Sequence, residues 1–367
     1  MSAPRARRWQ FSLLTLLLAM GGVALACLAS LPGAVSAQSK VEIFGVVDVG
    51  VTHLNGSGPS KTGLSTGGAN ISRIGFRGTE ELGGGLRAGF WLEAGMDVDS
   101  GSGKASGGGL SFNRRSTVSL SGDFGEVRLG RDDSATFLST LIFDPFLTNG
   151  VGGTMGFTML GIPGTGTATG GAPIQISNAV SYFLPQNLGG FYGQVQVAMG
   201  EQARSAPNKN QGDYRGLRFG YRQGPFNGAL ATGKFYGDSD ATNLTASNVG
   251  LSWDFGVAKP MLLWASEKRG ALKVTALQLG VTAPVGMGEF KASYGHYNTD
   301  GSNADWNKIS VGYGHNLSKR TQVYGTVAFL KNKDGAAKSI GVQGLSAPGT
   351  TLGGRSSGFE VGVRHFF

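Results

Sequence analysis

The sequence predicts an all-β chain, a sixteen-stranded antiparallel barrel that crosses a membrane with strands, and three observations predict it. The chain is glycine-rich, with 64 of 367 residues, against an average usage of about 7%. Glycine weakens helices, which leaves extended structure. Apolar residues alternate with polar or small ones from Lys40 to the last residue, as a strand with two unlike faces requires. Connectors between these segments alternate short and long. Past the first forty residues no apolar run approaches the about 18 residues of a spanning helix, which excludes a helical membrane protein.

Residues 1–37 stand apart in composition. Arg5, Arg7 and Arg8 precede an apolar run from Phe11 to Leu31, then small residues ending Val35, Ser36, Ala37. That order is a secretory signal peptide cleaved after Ala37, leaving residues 38–367 as one barrel domain. A retained transmembrane helix fits the run's length, but the Val-Ser-Ala site and the strand pattern from Val41 oppose it. A lipoprotein would use Cys27, yet Ala24 stands where that signal usually has Leu. The leader takes three arginines with it, so the net charge falls from +9 to +6, and the mature chain has no cysteine. A disulfide scaffold is excluded, and stability rests on hydrogen bonding and burial in one large structure.

Sixteen segments of about 8 to 13 residues follow. In Gln322–Lys331, Val323, Gly325, Val327 and Phe329 share one face; in Asn307–Asn316, Ile309, Val311 and Tyr313 do; in Gly358–Phe367, Phe359, Val361, Val363, His365 and Phe367 do. Short connectors lie at 81–85, 122–125, 186–190, 224–227, 255–258, 284–288 and 317–320. Longer Gly, Ser and Asn-rich ones include 54–68, 97–109, 201–212 and 332–356. Short turns on the periplasmic rim and long loops on the other are the plan of an outer-membrane barrel. Closure leaves no backbone group unpaired in lipid. A soluble β-sandwich or propeller also alternates, but a chain this long would show a domain boundary, and none is visible.

One connector, about 134–174, runs some forty residues through Phe143, Asp144, Pro145 and Phe146 and ends in low-complexity sequence at 164–171. Loops of that length are usually functional or disordered. A barrel of sixteen strands encloses an aqueous lumen, so this loop is expected to fold inward and narrow it, the alternative being a surface excursion.

Several runs resemble a family. SRIGFRGTEELGGGLRAGFWLE at 72–93 and FNRRSTVSLSGDFGEVRLGR at 112–131 are similar to strands two to five of the Gram-negative porins typical of β-proteobacteria. DPF at 144–146 is similar to part of their third loop, and GVRHFF resembles their closing strand. The resemblance implies a homotrimer in the outer membrane, among lipopolysaccharide, each barrel passing small hydrophilic solutes. It also implies that the terminal Phe367 is part of the signal read by the barrel assembly machinery. Phe183, at a position expected to be polar, and the Gly/Thr-rich stretch 150–171 depart from the pattern.

Selectivity in such a channel depends on charges at its narrow wall, and parity sorts the arginines. Ile74 and Phe76 outward put Arg73 and Arg77 in the lumen; Val118 and Leu120 outward put Arg115 there; Val127 and Leu129 outward put Arg128 there. A charge on the lipid face near the midplane costs about 2 to 4 kcal/mol, which favours this assignment. Arg114 falls on the lipid parity and is expected at the rim or in a distorted stretch, and Arg131 lies at a strand end where parity loosens. Asp144 on the long loop, with Asp132 and Asp133 at its root, would form the opposing wall. Arginines facing a mostly neutral loop predict a moderate preference for anions. Alternatively, several of them pair with Glu80, Glu81 or Glu93 and tie strands together.

Other classes have less support. His53, His296, His315 and His365 lie in no nucleophile or metal motif, so neither a hydrolase nor a metal or cofactor site is expected. Gly164, Gly166 and Gly170 have the wrong spacing and setting for a dinucleotide loop. A channel selective for phosphate or small carboxylates, or a receptor or adhesin role for the loops, remains open.

Overall fold

The computed structural model describes residues 40–160 and 173–367. The expected leader and the low-complexity stretch 164–171 lie outside the described residues. The chain begins with β1 (Lys40–Asn55), β2 (Lys61–Thr66), β3 (Arg73–Gly83), β4 (Leu86–Asp97), β5 (Ser102–Gly103), β6 (Arg115–Gly122) and β7 (Gly125–Asp133). Helix α1 (Ala135–Ile142) follows, then β8 (Gln175–Phe183), β9 (Phe191–Ala198), β10 (Tyr214–Gln223), β11 (Phe226–Phe235) and β12 (Leu244–Trp253). The last six are β13 (Lys259–Arg269), β14 (Leu272–Val285), β15 (Gly288–Thr299), β16 (Trp306–Asn316), β17 (Thr321–Asn332) and β18 (Arg355–Phe366).

These strands make sixteen staves. β2 and β3 are one stave, interrupted at 67–72, because both pair with β1: Val49 opposite Thr66 and Val46 opposite Arg73. β5 is a two-residue pairing on the end of β4. Each remaining neighbour pair is antiparallel, and β1 closes on β18 from Val46 opposite Phe366 to Asn55 opposite Ser357. Closure leaves no free edge.

Burial is inverted relative to a water-soluble protein. Val51, Val118, Leu129, Val195, Leu230, Leu279, Phe329 and Phe359 are about half exposed, while the alternate residues Thr52, Gln196, Asn248, Gln278, Ser310, Thr326 and Glu360 are buried. Apolar side chains outside and polar ones inside fit a wall whose outer solvent is lipid. All four histidines bond hydroxyl or amide groups beside them: His53 with Thr62, His296 with Asn307, His315 with Tyr313 and His365 with Thr321.

The short connectors fall where expected, many closed by glycines at positive φ such as Gly83, Gly224 and Gly286. On the opposite rim one connector departs from the long-loop pattern. β13 and β14 join through Gly270 and Ala271 alone, with Gly270 at φ +57°. The stretch 54–68, expected as loop, contains the end of β1 and all of β2, whose Lys-Thr-Gly-Leu-Ser-Thr lacks the alternation that marks the other strands.

Candidate functional site

The long connector leaves β7 at Asp133 and enters β8 at Gln175, its base closed by the Ser134 amide donating to Ile174 O at 2.8 Å. Ser134 also caps α1, its hydroxyl accepting the Phe137 amide at 3.2 Å. The helix turns its small and polar residues Ala135, Thr136, Ser139 and Thr140 inward to its packing partner. That inversion follows from the partner, which is the polar inner face of the barrel. The Asn248 side-chain amide donates to Thr136 O at 2.8 Å, and the Ala135 amide donates to Gln196 Oε1 at 3.2 Å.

Beyond α1 the loop continues along the inside of β12 to β18, and its apolar side chains sit over inward-facing glycines. A Cβ on Gly250 would lie 1.9 Å from the Phe143 ring, one on Gly280 2.5 Å from Pro145, and one on Gly358 2.7 Å from Val151. Polar tethers alternate with these contacts. The Tyr297 hydroxyl accepts the Met155 amide at 3.0 Å, Lys308 Nζ donates to Gly153 O at 2.5 Å, and Glu360 Oε1 accepts the Val151 amide at 3.2 Å.

Asp144 organises the tip. Its Oδ2 accepts the amides of Thr148 at 2.7 Å and Thr154 at 3.0 Å, and its Oδ1 accepts from Gln278 at 3.0 Å. These bonds hold Leu147 and Thr148 at φ +51° and +62°, a left-handed conformation unfavourable for residues with side chains. Asp144 is fully buried. The sequence analysis expects it on a charged wall opposite the arginines; its carboxylate is bonded to two loop amides and to Gln278 of β14.

The loop leaves uncovered the inner face of β1, β3, β4, β6 and β7, where the arginines lie. Arg77 donates to Glu42 through Nε at 2.7 Å, with its Nη2 also 2.7 Å from Glu42, and its guanidinium lies 5.0 Å from the ring centres of both Phe44 and Trp91. Arg115 lies 4.4 Å over the same Trp91 ring and donates from Nε to Thr117 Oγ1 at 3.1 Å. Arg128 pairs with Glu126 at 3.0 Å through two nitrogens and with Asp132, and covers the Phe183 ring at 4.2 Å. Phe183, unexpected by polarity, is thus a platform for a guanidinium.

Arg73 and Arg114 share Glu93, at 3.5 and 2.6 Å. Arg114 immediately precedes β6. Arg131 sits where the pairing with β8 shifts register and donates to Asn113 O and, at 2.6 Å, to Ser177 Oγ. Asp132 faces the arginines from their own side, and Asp133 accepts from Gln175 at 2.8 Å at the loop root. Strand-tying pairs therefore exist, but Glu42, Glu93, Glu126 and Asp132 provide most of them; Glu80 and Glu81 do not appear among the ion pairs of the described residues. Glu42 and Glu126 lay outside the parity analysis, which sorted arginines alone.

Against this wall lies a cavity of about 540 Å³, lined among others by Lys40, Glu42, Arg77, Glu81, Arg87, Trp91, Arg115, Glu126 and Arg128. Five of these are cations and three are carboxylates. Every charged group reaches it from a strand, so its electrostatics are fixed by the barrel register.

A closed barrel with an apolar exterior, a polar interior and a charged, loop-bordered lumen is an outer-membrane channel. Residues 24–335 match the Gram-negative porin family. The chain belongs to that family and forms a water-filled outer-membrane channel for small hydrophilic solutes. It is 42% identical over 355 residues to outer membrane porin protein 32 of Delftia acidovorans, covering 94% of this chain and 99% of that one. It is 26% identical over 391 residues to an outer membrane porin protein of Bordetella pertussis, covering 87% of this chain and 97% of that one. Among solved structures, an anion-selective porin from Comamonas acidovorans superposes with a TM-score of 0.82 at 39% identity, covering 90% of this chain and all of that one.

Proposed function

We propose that solutes pass between the arginine wall and the loop 134–160, and that the pore moderately prefers anions. The observation that carries this is the charge balance of the lumen cavity, five cations to three carboxylates, facing a loop whose Asp144 is buried. Arg73, Arg77, Arg115, Arg128 and Arg131, with Asp132 and Asp133, set the field at the narrowing. The selectivity of the Comamonas relative supports this reading. The test is reversal potential in planar bilayers under a KCl gradient. A potential on the anion side supports the proposal, and one on the cation side overturns it.

A second reading, a channel selective for phosphate or small carboxylates, is favoured by Arg115. Among the described residues its two terminal nitrogens carry no hydrogen bond, while Trp91 holds the guanidinium plane in place. That is a free fork suited to an oxyanion. Saturable block of chloride current by millimolar phosphate would favour it, and linear additivity of the two currents would exclude it.

The protein acts as a channel without catalysis in this proposal. Residues 1–37 act as the export leader. Phe367, whose amide and carbonyl pair with Gly45 at 3.1 Å each way in the folded barrel, serves as the assembly signal in this proposal. A homotrimer would use the exterior of β1 to β7. There the exposed apolar side chains are Val41, Ile43, Val51, Leu64, Leu82, Val118, Leu120 and Leu129, with Phe90 the one exposed aromatic on those strands among the described residues; β9 to β18 expose Phe191, Phe219, Trp253, Trp264, Phe290, Tyr294, Tyr313, Phe329 and Phe359. Aromatics belong at a lipid interface, and their scarcity on one side suits protein contact.

A further inference from the structure

We propose that a small monovalent anion of chloride's size is held behind the loop helix, between Arg218 of β10 and Gln194 of β9. Two cations are buried among the described residues, Lys308 at 6% exposed and Arg218 at 9%. Lys308 is engaged by the long loop, donating to Gly153 O. Arg218 takes part in none of the ion pairs of the described residues. Its Nε is buried and has no acceptor among them. A buried guanidinium without a counter-charge destabilises the fold that encloses it.

The surrounding sequence supplies no counter-charge. Arg218 points inward, since its neighbours Leu217 and Phe219 are exposed on the outer face. Strands β8 to β12 and helix α1 contain no Asp or Glu at all. Arg222, four residues on and on the same face of β10, is a second cation. The opposite wall differs, because Arg77 and Arg128 there each hold a carboxylate.

Groups that can donate do surround Arg218. Gln194 is its direct cross-strand partner, which brings the two Cβ atoms to about 5 Å. Gln194 is 2% exposed, and its Nε2 and Oε1 both lack partners among the described residues. The guanidinium lies 4.8 Å from the Tyr192 ring centre, while the Tyr192 hydroxyl is committed to Asn227 at 2.7 Å. Helix α1 packs across β9 to β12 on the lumen side, and the Ser139 hydroxyl on its buried face is likewise without a partner among the described residues. A water molecule would satisfy such donors but not the charge; an anion satisfies both. Neither Arg218 nor Gln194 lines the cavity of the arginine wall. The ion therefore belongs to the surface on which the loop is seated, and the site stands apart from the path and preference proposed for solutes.

The test refolds the full chain in sodium bromide with chloride excluded, crystallises it and records anomalous diffraction at the bromine edge. A peak in contact with Arg218 Nε and Gln194 Nε2 is expected, and no peak there overturns the proposal. In solution, the thermal unfolding midpoint of the refolded chain in micelles is followed in sodium chloride and in sodium gluconate at equal ionic strength, gluconate being too large to lie behind the helix. The midpoint should rise by about 2 to 4 °C per tenfold increase in chloride and stay level in gluconate. Arg218→Gln should abolish the difference. Gln194→Leu, which keeps the charge and removes one donor, should reduce it to less than half, so the result does not hang on one variant. Arg115→Gln should leave it intact. A chloride effect of equal size in wild type, Arg218→Gln and Gln194→Leu overturns the site.

Discussion

The Tyr324 hydroxyl donates a 2.6 Å hydrogen bond to Asp48 Oδ1, two strands away across the barrel seam. The ring reaches it by lying over the inward faces of β18 and β1, where Gly362 and Gly50 stand; a Cβ on Gly362 would lie 2.3 Å from the hydroxyl oxygen. The other oxygen of Asp48 accepts the amides of Ala69 and Asn70 at 2.8 and 2.6 Å, holding the interruption between β2 and β3. Asn149 of the long loop then donates to Ala69 O at 3.2 Å. Two departures from regularity, the broken stave and the inward loop, share one support.

Tyr324→Phe should therefore act beyond its own strand. It leaves a buried carboxylate oxygen short of a donor, an effect worth about 1 to 3 kcal/mol. The midpoint of guanidinium unfolding should fall accordingly, and amide protection at Ala69 and Asn70 should fall with it. Unchanged protection at those two residues would show that Asp48 holds the interruption without Tyr324.

Gly250→Val tests the seating of the loop. No rotamer places a valine beside the Phe143 ring, because the first side-chain atom already lies 1.9 Å from it. Overpacking of this kind costs about 1 to 3 kcal/mol, and here the loop can yield more readily than the closed wall. Single-channel conductance should fall, since Phe143 has only the lumen to move into. Gly83→Ala, at φ +91° with nothing within 4 Å of the added atom, serves as the control and should leave conductance unchanged. Equal conductance in the two variants would refute the seating.

Much of this was legible in the sequence, and the residues show why the rest was not. The parities of Arg73, Arg77, Arg115 and Arg128 follow from period-two alternation beside unambiguous outward residues. Gly250, Gly280, Gly312 and Gly358 carry no such mark. An inward glycine looks alike whether it faces water or a loop, so the bed on which Phe143, Pro145 and Val151 rest was hidden. Asp144 reads as a lumen charge on composition, and only the loop's left-handed turn at Leu147 and Thr148 shows that the carboxylate is spent on backbone amides. Helix α1 was obscured for a related reason: its packing partner is polar, so the usual apolar stripe is absent from its buried face.

Asp305 gives the rim a pH dependence. It precedes β16 and accepts from Lys333 at 2.8 Å, the Thr299 amide at 3.0 Å and Asn298 at 3.1 Å. The Lys333 hydrogen bond is the main cause holding its carboxyl below the usual aspartate range. The folded state thus binds this proton less tightly than the unfolded one. Its stabilising contribution is complete above the ordinary aspartate pKa of about 3.9 and is lost as pH falls through the depressed value. Protection of the Lys333 amide, which donates to Asp305 O at 2.8 Å, should drop between pH 5 and about 2 beyond the change in intrinsic exchange. Asp305→Asn should show no such pH dependence, and a persisting drop in that variant would assign it elsewhere.

The arginines should separate by their partners. Arg128 is bonded to Glu126 and Asp132 through all its nitrogens, so its removal leaves two carboxylates uncompensated in the lumen as well as deleting one positive charge. Arg77 neutralises Glu42 in the same way. In Arg77→Ala/Arg128→Ala the cavity lining changes from five cations against three carboxylates to three against three. Its reversal potential under a KCl gradient should approach zero or cross to the cation side. Arg115→Gln should shift that potential less than Arg128→Ala, because among the described residues no carboxylate lies within hydrogen-bonding distance of Arg115; Asp132 is 3.8 Å away. If phosphate blocks the wild-type current, however, Arg115→Gln should remove most of that block, since the free guanidinium fork is the group available to an oxyanion. Equal shifts from all three arginines would mean that the lumen averages its charges and that pairing within the wall has no bearing on selectivity.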